Sequence, residues 1–269
     1  MHLAIVVVVA LAACNACGEH GPVNGPGGPR RDQLRIVSYN VNFGRAGDPT
    51  NVRAVGPLNG DMVFLQETNA VWEQAFVEAL GRRYPHHRFT HPKAGEGPAG
   101  GMGVLSRFPI ESITELPTRG GFFFAWRVVV TSNLGRIQVL NVHLRPPMSD
   151  AGSWVVGYFS TRGNRLEEIE HHLAALDPKL PTLLVGDFNE ETDGLAMERL
   201  AQLGYGNATA QFNPKTPTWQ WPLSSSVTLR FQLDHILHDA HFVPVASQIV
   251  PVGNSDHVPI WTDFERIDP

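Results

Sequence analysis

Apolar and polar positions form short runs from Leu34 onward, rich in β-branched and aromatic residues and bounded by Gly, Pro, Asn or Asp. These runs predict strands over 34–41, 61–66, 102–106, 122–131, 136–144, 182–187, 229–237 and 258–264. Three stretches carry a helical period instead. Asn69 is placed to cap a helix in which Trp72, Phe76 and Leu80 recur every fourth residue. Leu166, Ile169, Leu173 and Leu176 mark a second helix, ending before Pro178. Asp193 is placed to cap a third, which stops near Gly204. Strands outnumber helices and often follow one another directly. That pattern predicts sheets with helices outside them rather than one parallel doubly wound sheet. No charge run or low-complexity stretch divides the chain after Leu34, which predicts one domain over 34–269.

The pattern before Leu34 is different. Residues 3–13 are an unbroken apolar run, too short to span a bilayer as a helix but of the length of a signal-peptide core. The run closes on Leu11-Ala12-Ala13-Cys14, which resembles the lipobox of bacterial lipoproteins. That resemblance implies a signal peptide over 1–13 and lipidation of Cys14, although Met1-His2 supplies no positive charge. Residues 18–33 are Gly/Pro-rich with a single Val, the composition of a flexible tether. Together they predict a lipid-anchored protein of the bacterial cell envelope, with the membrane as a partner. With Cys14 and Cys17 alone, the chain has neither a disulfide framework nor a four-cysteine zinc site.

Composition narrows the function. The chain has 269 residues, of which 42% are apolar and 17% charged, with a formal net charge of −5. A polybasic nucleic-acid binder is excluded, whereas an enzyme that recruits a cation is not.

The informative positions are the strand ends. Asn40 and Asn42, Asn141 and His143, and Asp187 and Asn189 each fall two apart, the spacing that puts side chains on one face of a strand. Glu67 closes the run Met62–Gln66. Asp234 sits inside an apolar segment, where a carboxylate needs a partner or a cation. Ser255-Asp256-His257 precedes the last strand, and Gly253-Asn254-Ser255 offers the bend that both Asp256 and His257 need to reach one site. Singly, each of these is an ordinary turn, cap or loop residue. Six strand ends of this kind point to a shared site.

Seven stretches in order resemble the endonuclease/exonuclease/phosphatase superfamily, with its deoxyribonuclease I-like fold. They are LRIVSYNV at 34–41, FLQET ending at Thr68, GVLSRFPI from Gly103, LNVHL around His143, VGDFN ending at Asn189, LDHIL from Leu233 and SDHVPI from Ser255. The resemblance implies an α/β (α+β) fold, a four-layer α/β/β/α sandwich of two mixed β-sheets flanked by helices. It also implies cleavage of phosphoester bonds with a divalent cation, Mg²⁺ with Mn²⁺ as the alternative. Glu67 then matches the principal metal ligand, Asp256 assists in the metal shell, and Asn42 stands where many relatives carry Asp. Asn40 would hold a ligand water or a phosphate oxygen. Asp187 and Asn189 would orient the attacking water, with Asp187 one candidate base and His257, paired with Asp234, the other. His143 would donate to the phosphoryl oxygens or the leaving group. Arg145 could meet a phosphate, and Arg107 reads as structural.

The expected activity is phosphodiester hydrolysis, on nucleic acid or phospholipid, by a monomer. A phosphomonoesterase and a non-catalytic binding module are the alternatives. Two aromatic-rich stretches, 146–160 and 212–224, are placed either to touch substrate or membrane or to pack beneath loops. Packing is the reading preferred for Trp219.

Overall fold

A computed structural model describes residues 32–92, 97–117, 122–148, 154–224 and 226–267. The apolar run at 3–13, Cys14 and the tether up to residue 31 lie outside the described residues. Among those residues, no helix is long and apolar enough to cross a membrane.

The strands in chain order are β1 (Leu34–Asn40), β2 (Met62–Gln66), β3 (His86–Phe89), β4 (Met102–Ser106), β5 (Ile110–Leu116), β6 (Ala125–Ser132) and β7 (Gly135–His143). Then come β8 (Thr182–Asp187), β9 (Gly206–Asn207), β10 (Trp219–Pro222), β11 (Thr228–Phe231), β12 (Asp234–His238), β13 (Phe242–Ile249) and β14 (Ile260–Arg266). The helices are α1 (Pro49–Val55), α2 (Ala70–Leu80), α3 (Trp154–Ser160), α4 (Arg162–Leu173), α5 (Leu195–Gln202) and α6 (Ala208–Phe212).

Two six-stranded mixed sheets form, ordered β13-β14-β1-β2-β4-β3 and β5-β6-β7-β8-β12-β9. In each, one parallel pair sits among antiparallel neighbours: β1 with β2, and β7 with β8. Each parallel pair joins two strands that end in polar residues, Asn40 with Gln66 and His143 with Asp187. The sheets stack face to face over Leu34, Ile36, Met62, Phe64, Val128, Val139, Leu183, Val185 and Ile236. Helices α1 and α2 cover the outer face of the first sheet through Val52, Trp72 and Phe76. Helices α4 and α5 cover the second through Ile169, Met197 and Leu200. The result is the four-layer sandwich.

Period two explains where the site falls. The inward-facing rows read Leu34-Ile36-Ser38-Asn40 on β1 and Met62-Phe64-Gln66 on β2. On β7 and β8 they read Ile137-Val139-Asn141-His143 and Leu183-Val185-Asp187. Each row starts apolar and turns polar at its C-terminal end. The parallel pairing aligns those ends, with Asn40 opposite Gln66 and His143 opposite Asp187. Strand β12 runs antiparallel to β8, so its first residue, Asp234, lies opposite Asp187. Every polar end therefore arrives at one edge of the sandwich.

Several sequence expectations need correction. The run 229–237 is two strands in two different sheets, broken at Gln232 and Leu233, whose neighbourhood is held by Thr218 Oγ1 accepting from Leu233 N and Asp234 N. Helix α5 is not capped by Asp193. Gly194 is the N-cap residue, and the Glu190 carboxylate reaches forward to accept from Ala196 N at 2.9 Å. Strands β3, β5, β9, β10 and β13 had no counterpart in the pattern. β3, β5, β9 and β13 are edge strands and β10 belongs to a separate hairpin, positions that do not demand a clean apolar alternation. Asn69 does cap α2, accepting from Val71 N and Trp72 N.

Candidate active site

A cavity of about 390 Å³ opens at the polar edge. Glu67, His143, Asp187, Asn189, Asp256 and His257 line it, with Asn42 at its rim and Asn40 buried beneath. Backbone geometry aims these groups. Gln66 ends β2 pointing inward, where its Nε2 donates to Asn141 Oδ1 at 2.7 Å. The next side chain would point to the opposite face, but Glu67 has φ 62° and turns into the cavity. Asn42 and Asn189 also have positive φ, at 61° and 51°. Three such residues at three strand ends, one of them a Glu, hold backbone strain at the site. Gly186, just before Asp187, has φ 130°, and a Cβ there would lie 2.1 Å from Val142 O.

Asn40 is the central tie. Its Nδ2 donates to both Glu67 Oε1, at 3.0 Å, and Asp187 Oδ2, at 3.1 Å. The second Glu67 oxygen accepts from Phe43 N. Asn189 N donates to Asp187 Oδ1 at 2.9 Å, and Asn189 Nδ2 donates to Leu144 O. Asp187 is thus held through both oxygens.

The two histidines face the same carboxylate. His257 Nε2 lies 3.5 Å from Asp187 Oδ2, and His143 Nε2 lies 3.6 Å from the same atom. On its other side, His257 Nδ1 meets Asp234 Oδ2 at 2.8 Å. His143 stacks on Phe123 with centroids 4.1 Å apart and planes 14° from parallel.

Burial sets the charges. It pushes the Glu67 and Asp187 carboxyls above the usual carboxylate range. It pulls His143 down to about 3, with the charge on His257 adding to the effect, so His143 is a neutral imidazole. Burial also opposes charging of His257, but the carboxylates of Asp234 and Asp187 outweigh it and hold its pKa well above the ordinary histidine value. One imidazole is neutral and the other cationic beside one carboxylate.

Asp256 is gripped from two sides. Asn42 Nδ2 donates to its Oδ1 at 2.7 Å and Trp219 Nε1 to its Oδ2 at 2.9 Å. The bend expected at 253–255 is present: Gly253 has φ 93°, Asn51 Oδ1 accepts from Ser255 N, and Asp256 and His257 both reach the cavity.

Arg145 does not line the cavity. Its guanidinium lies over the Phe122 ring at 4.6 Å, and its backbone N donates to Glu168. Arg107 pairs with Asp61 at 3.0 Å, away from the site. Phe123 and Arg165 were not assigned roles from sequence, because nothing local marks them as neighbours of His143 or the Asn189 turn; Trp219, read as packing, is buried and in addition bonds Asp256.

Three carboxylates line the cavity, and among the described lining residues there is no Lys or Arg. Such an excess of hard oxygen donors fits a divalent cation. Among the described residues, one His/Cys/Asp/Glu group has metal-ligand spacing: Asp187, Asp234 and His257, whose ligand atoms lie within 4.8 Å of one another.

A model of the endonuclease/exonuclease/phosphatase family matches residues 37–257, from β1 to His257. The chain belongs to that family. Its members are hydrolases acting on phosphoester bonds and are generally dependent on divalent metal. Comparison with curated proteins gives no match. Solved structures confirm the fold. An endonuclease/exonuclease/phosphatase from Beutenbergia cavernae is 19% identical, covering 87% of this chain and 72% of its own, with a TM-score of 0.68. A family protein from Bacteroides thetaiotaomicron is 15% identical over 86% of this chain and 97% of its own, TM-score 0.64. The catalytic domain of human Nocturnin, solved with a bound sulfate anion, is 18% identical over 88% of this chain and 95% of its own, TM-score 0.64.

Proposed function

We propose that this protein is a phosphodiesterase dependent on Mg²⁺ or Mn²⁺. The observation that carries the reading is the double hydrogen bond of Asn40, which locks Glu67 and Asp187 into one cluster faced by both histidines.

Glu67 and Asp256 would hold the cation, which supplies Lewis-acid stabilisation of charge on the phosphoryl oxygens. The Asp187–Asp234–His257 group also has metal-ligand spacing, but two of its three ligand atoms already share a hydrogen bond, which suits proton handling. Asp187, its carboxyl raised by burial and oriented by Asn40 and Asn189, positions the attacking water and accepts its proton. His257 is fixed by Asp234 in the orientation that presents Nε2–H to the phosphoryl group, where its positive charge opposes the developing negative charge. His143 stays neutral and, braced on Phe123, presents Nε2 from the opposite side as a second donor. Asn42 acts by steadying Asp256.

The test is hydrolysis of bis(4-nitrophenyl) phosphate with Mg²⁺, Mn²⁺ or EDTA, alongside Asp187→Ala and His257→Ala. Activity in the metal-loaded protein and its loss in EDTA and in both variants is the expected result. Activity that survives EDTA or both substitutions overturns the reading.

We also propose lipidation of Cys14 and attachment to the cell envelope, supported by the apolar run 3–13 and the small residues before Cys14. Incorporation of a labelled fatty acid that disappears in Cys14→Ser tests it.

A further inference from the structure

A second cavity, of about 250 Å³, lies beside the catalytic one. Trp219 lines both, and consecutive prolines divide them, Pro146 facing the first and Pro147 the second. The second cavity sits between α3 and the β10–β11 hairpin. Its walls are Tyr158, Phe159, Leu229 and Phe231, and Arg162, Glu191 and Asp193 close its polar side. The mechanism above uses none of these residues.

Two features say what it takes. First, three of its four aromatic walls are already stacked on one another. Tyr158 and Phe231 stack at 5.5 Å and 16°, and Phe231 and Trp219 at 6.0 Å and 15°. A nucleobase needs a free ring face to stack on, and a nucleic-acid backbone needs cationic neighbours, which the net charge of −5 does not favour. An alkyl chain needs only an apolar wall. Second, the rim around both mouths is apolar where most surfaces are polar. Phe159 is 66% exposed, Phe122 55%, Leu223 52%, Met148 42% and Trp221 40%. Phe122, Met148 and Trp221 line the catalytic cavity, Phe159 lines the second, and Leu223 follows Trp221 in the hairpin. Exposed large apolar side chains gathered round an active-site mouth mark a contact surface.

We propose that the second cavity holds an alkyl chain of a lipid-like phosphodiester while the phosphate lies over Asp187 and His257. This rests on the phosphodiesterase reading and narrows its substrate. The Trp219 ring then does two things: its Nε1 steadies Asp256, and its face separates reacting phosphate from chain.

The test uses the full chain with Mg²⁺ and three soluble diesters: methyl, butyl and octyl 4-nitrophenyl phosphate. KM is expected to fall at least tenfold from methyl to octyl. Leu229→Ser and Phe159→Ser should shrink that difference below threefold and leave kcat/KM for the methyl ester unchanged. Equal KM across the series, or a chain-length effect untouched by both variants, overturns the proposal. So does a preference for thymidine 5′-(4-nitrophenyl phosphate) over the octyl ester. Methyl(octyl)phosphinate, whose phosphorus carries two P–C bonds and no ester to cleave, separates the two readings. Saturable binding, followed by tryptophan fluorescence and weakened at least fivefold in both variants, supports the chain site even if no ester is cleaved. Absence of binding overturns the site even if the methyl ester is cleaved.

Discussion

Asn42 donates its side-chain amide to Asp256 across 2.7 Å, joining the end of β1 to the loop before β14. The same Asn42 has its Oδ1 bonded to Gly44 N and its backbone O accepting from Trp72 Nε1. Asn42→Asp would set two carboxylates against each other at hydrogen-bond distance. Like charges so placed repel unless a proton or a cation lies between them. In EDTA the thermal midpoint should fall by about 3 °C, the equivalent of roughly 1 kcal/mol. Adding Mg²⁺ or Mn²⁺ should raise the midpoint of the variant more than that of the parent. Differential scanning calorimetry with and without metal checks both. An equal metal response in the two proteins would place Asn42 outside the cation's surroundings.

Asp234 accepts from His257 at 2.8 Å in a fully buried contact. Asp234→Asn keeps the shape and removes the charge that holds His257 protonated and oriented. In the metal-loaded enzyme kcat should drop by at least about a hundredfold with little change in KM, the signature of an interaction made in the transition state. A change confined to KM would assign Asp234 to substrate binding.

Arg165 is entirely buried and ties three segments together. Its guanidinium pairs with Glu190 at 3.0 Å and donates to Thr161 Oγ1, to Tyr158 O and to Arg145 O. Glu190 follows Asn189 directly, so Arg165 braces the turn that orients Asp187. Arg165→Ala leaves Glu190 as an uncompensated buried charge, at a cost of about 3–5 kcal/mol. Chemical denaturation should show the Arg165→Ala/Glu190→Ala pair less destabilised than the sum of its two single variants. Additivity would mean that the pair does not interact.

His172, on the buried face of α4, has its pKa pulled down to about 4, chiefly by burial and next by the charge on His171. The unfolded chain takes up this proton near pH 6.5, and the folded one refuses it until about pH 4. Its contribution to stability is therefore complete above pH 6.5 and is lost as pH falls toward 4, by roughly 3 kcal/mol in all. His172→Leu should flatten the stability profile between pH 4.5 and 7 in urea titrations. His143 and His235 carry depressed values of the same sign, so part of the slope remains. An unchanged slope in the variant would locate the effect elsewhere.

Much of the sandwich was legible because period two and burial are local rules. The stretches that became β1, β2, β7 and β8 could be read from apolar runs ending in Asn, Gln, His or Asp, and β4 from the apolar run before Ser106. The edge strands β3, β5 and β13 could not, since an edge needs only one well-packed face. The break at Gln232-Leu233 was hidden because both sides of it are apolar; only their separate sheets show that the chain turns there.

The site divides the same way. Residue types at strand ends identified Asn40, Glu67, His143, Asp187, Asn189, Asp234, Asp256 and His257 as candidates; two parallel pairs, the antiparallel β12 and the bend before β14 bring them to one edge. Arg145, judged only from its position after the His143 strand, instead lies on Phe122. The sequence by itself determined the layered fold, the chemistry gathered at one sheet edge and the acidic surplus suited to a cation, because alternation and charge are written in neighbouring residues. Only the tertiary structure decided that Asn42 and Trp219 grip Asp256, that Arg165 supports the Asn189 turn and that an apolar chamber adjoins the polar cavity. Those relationships join residues from 25 to 214 positions apart, and contacts at such distances exist only once the sheets and helices have packed.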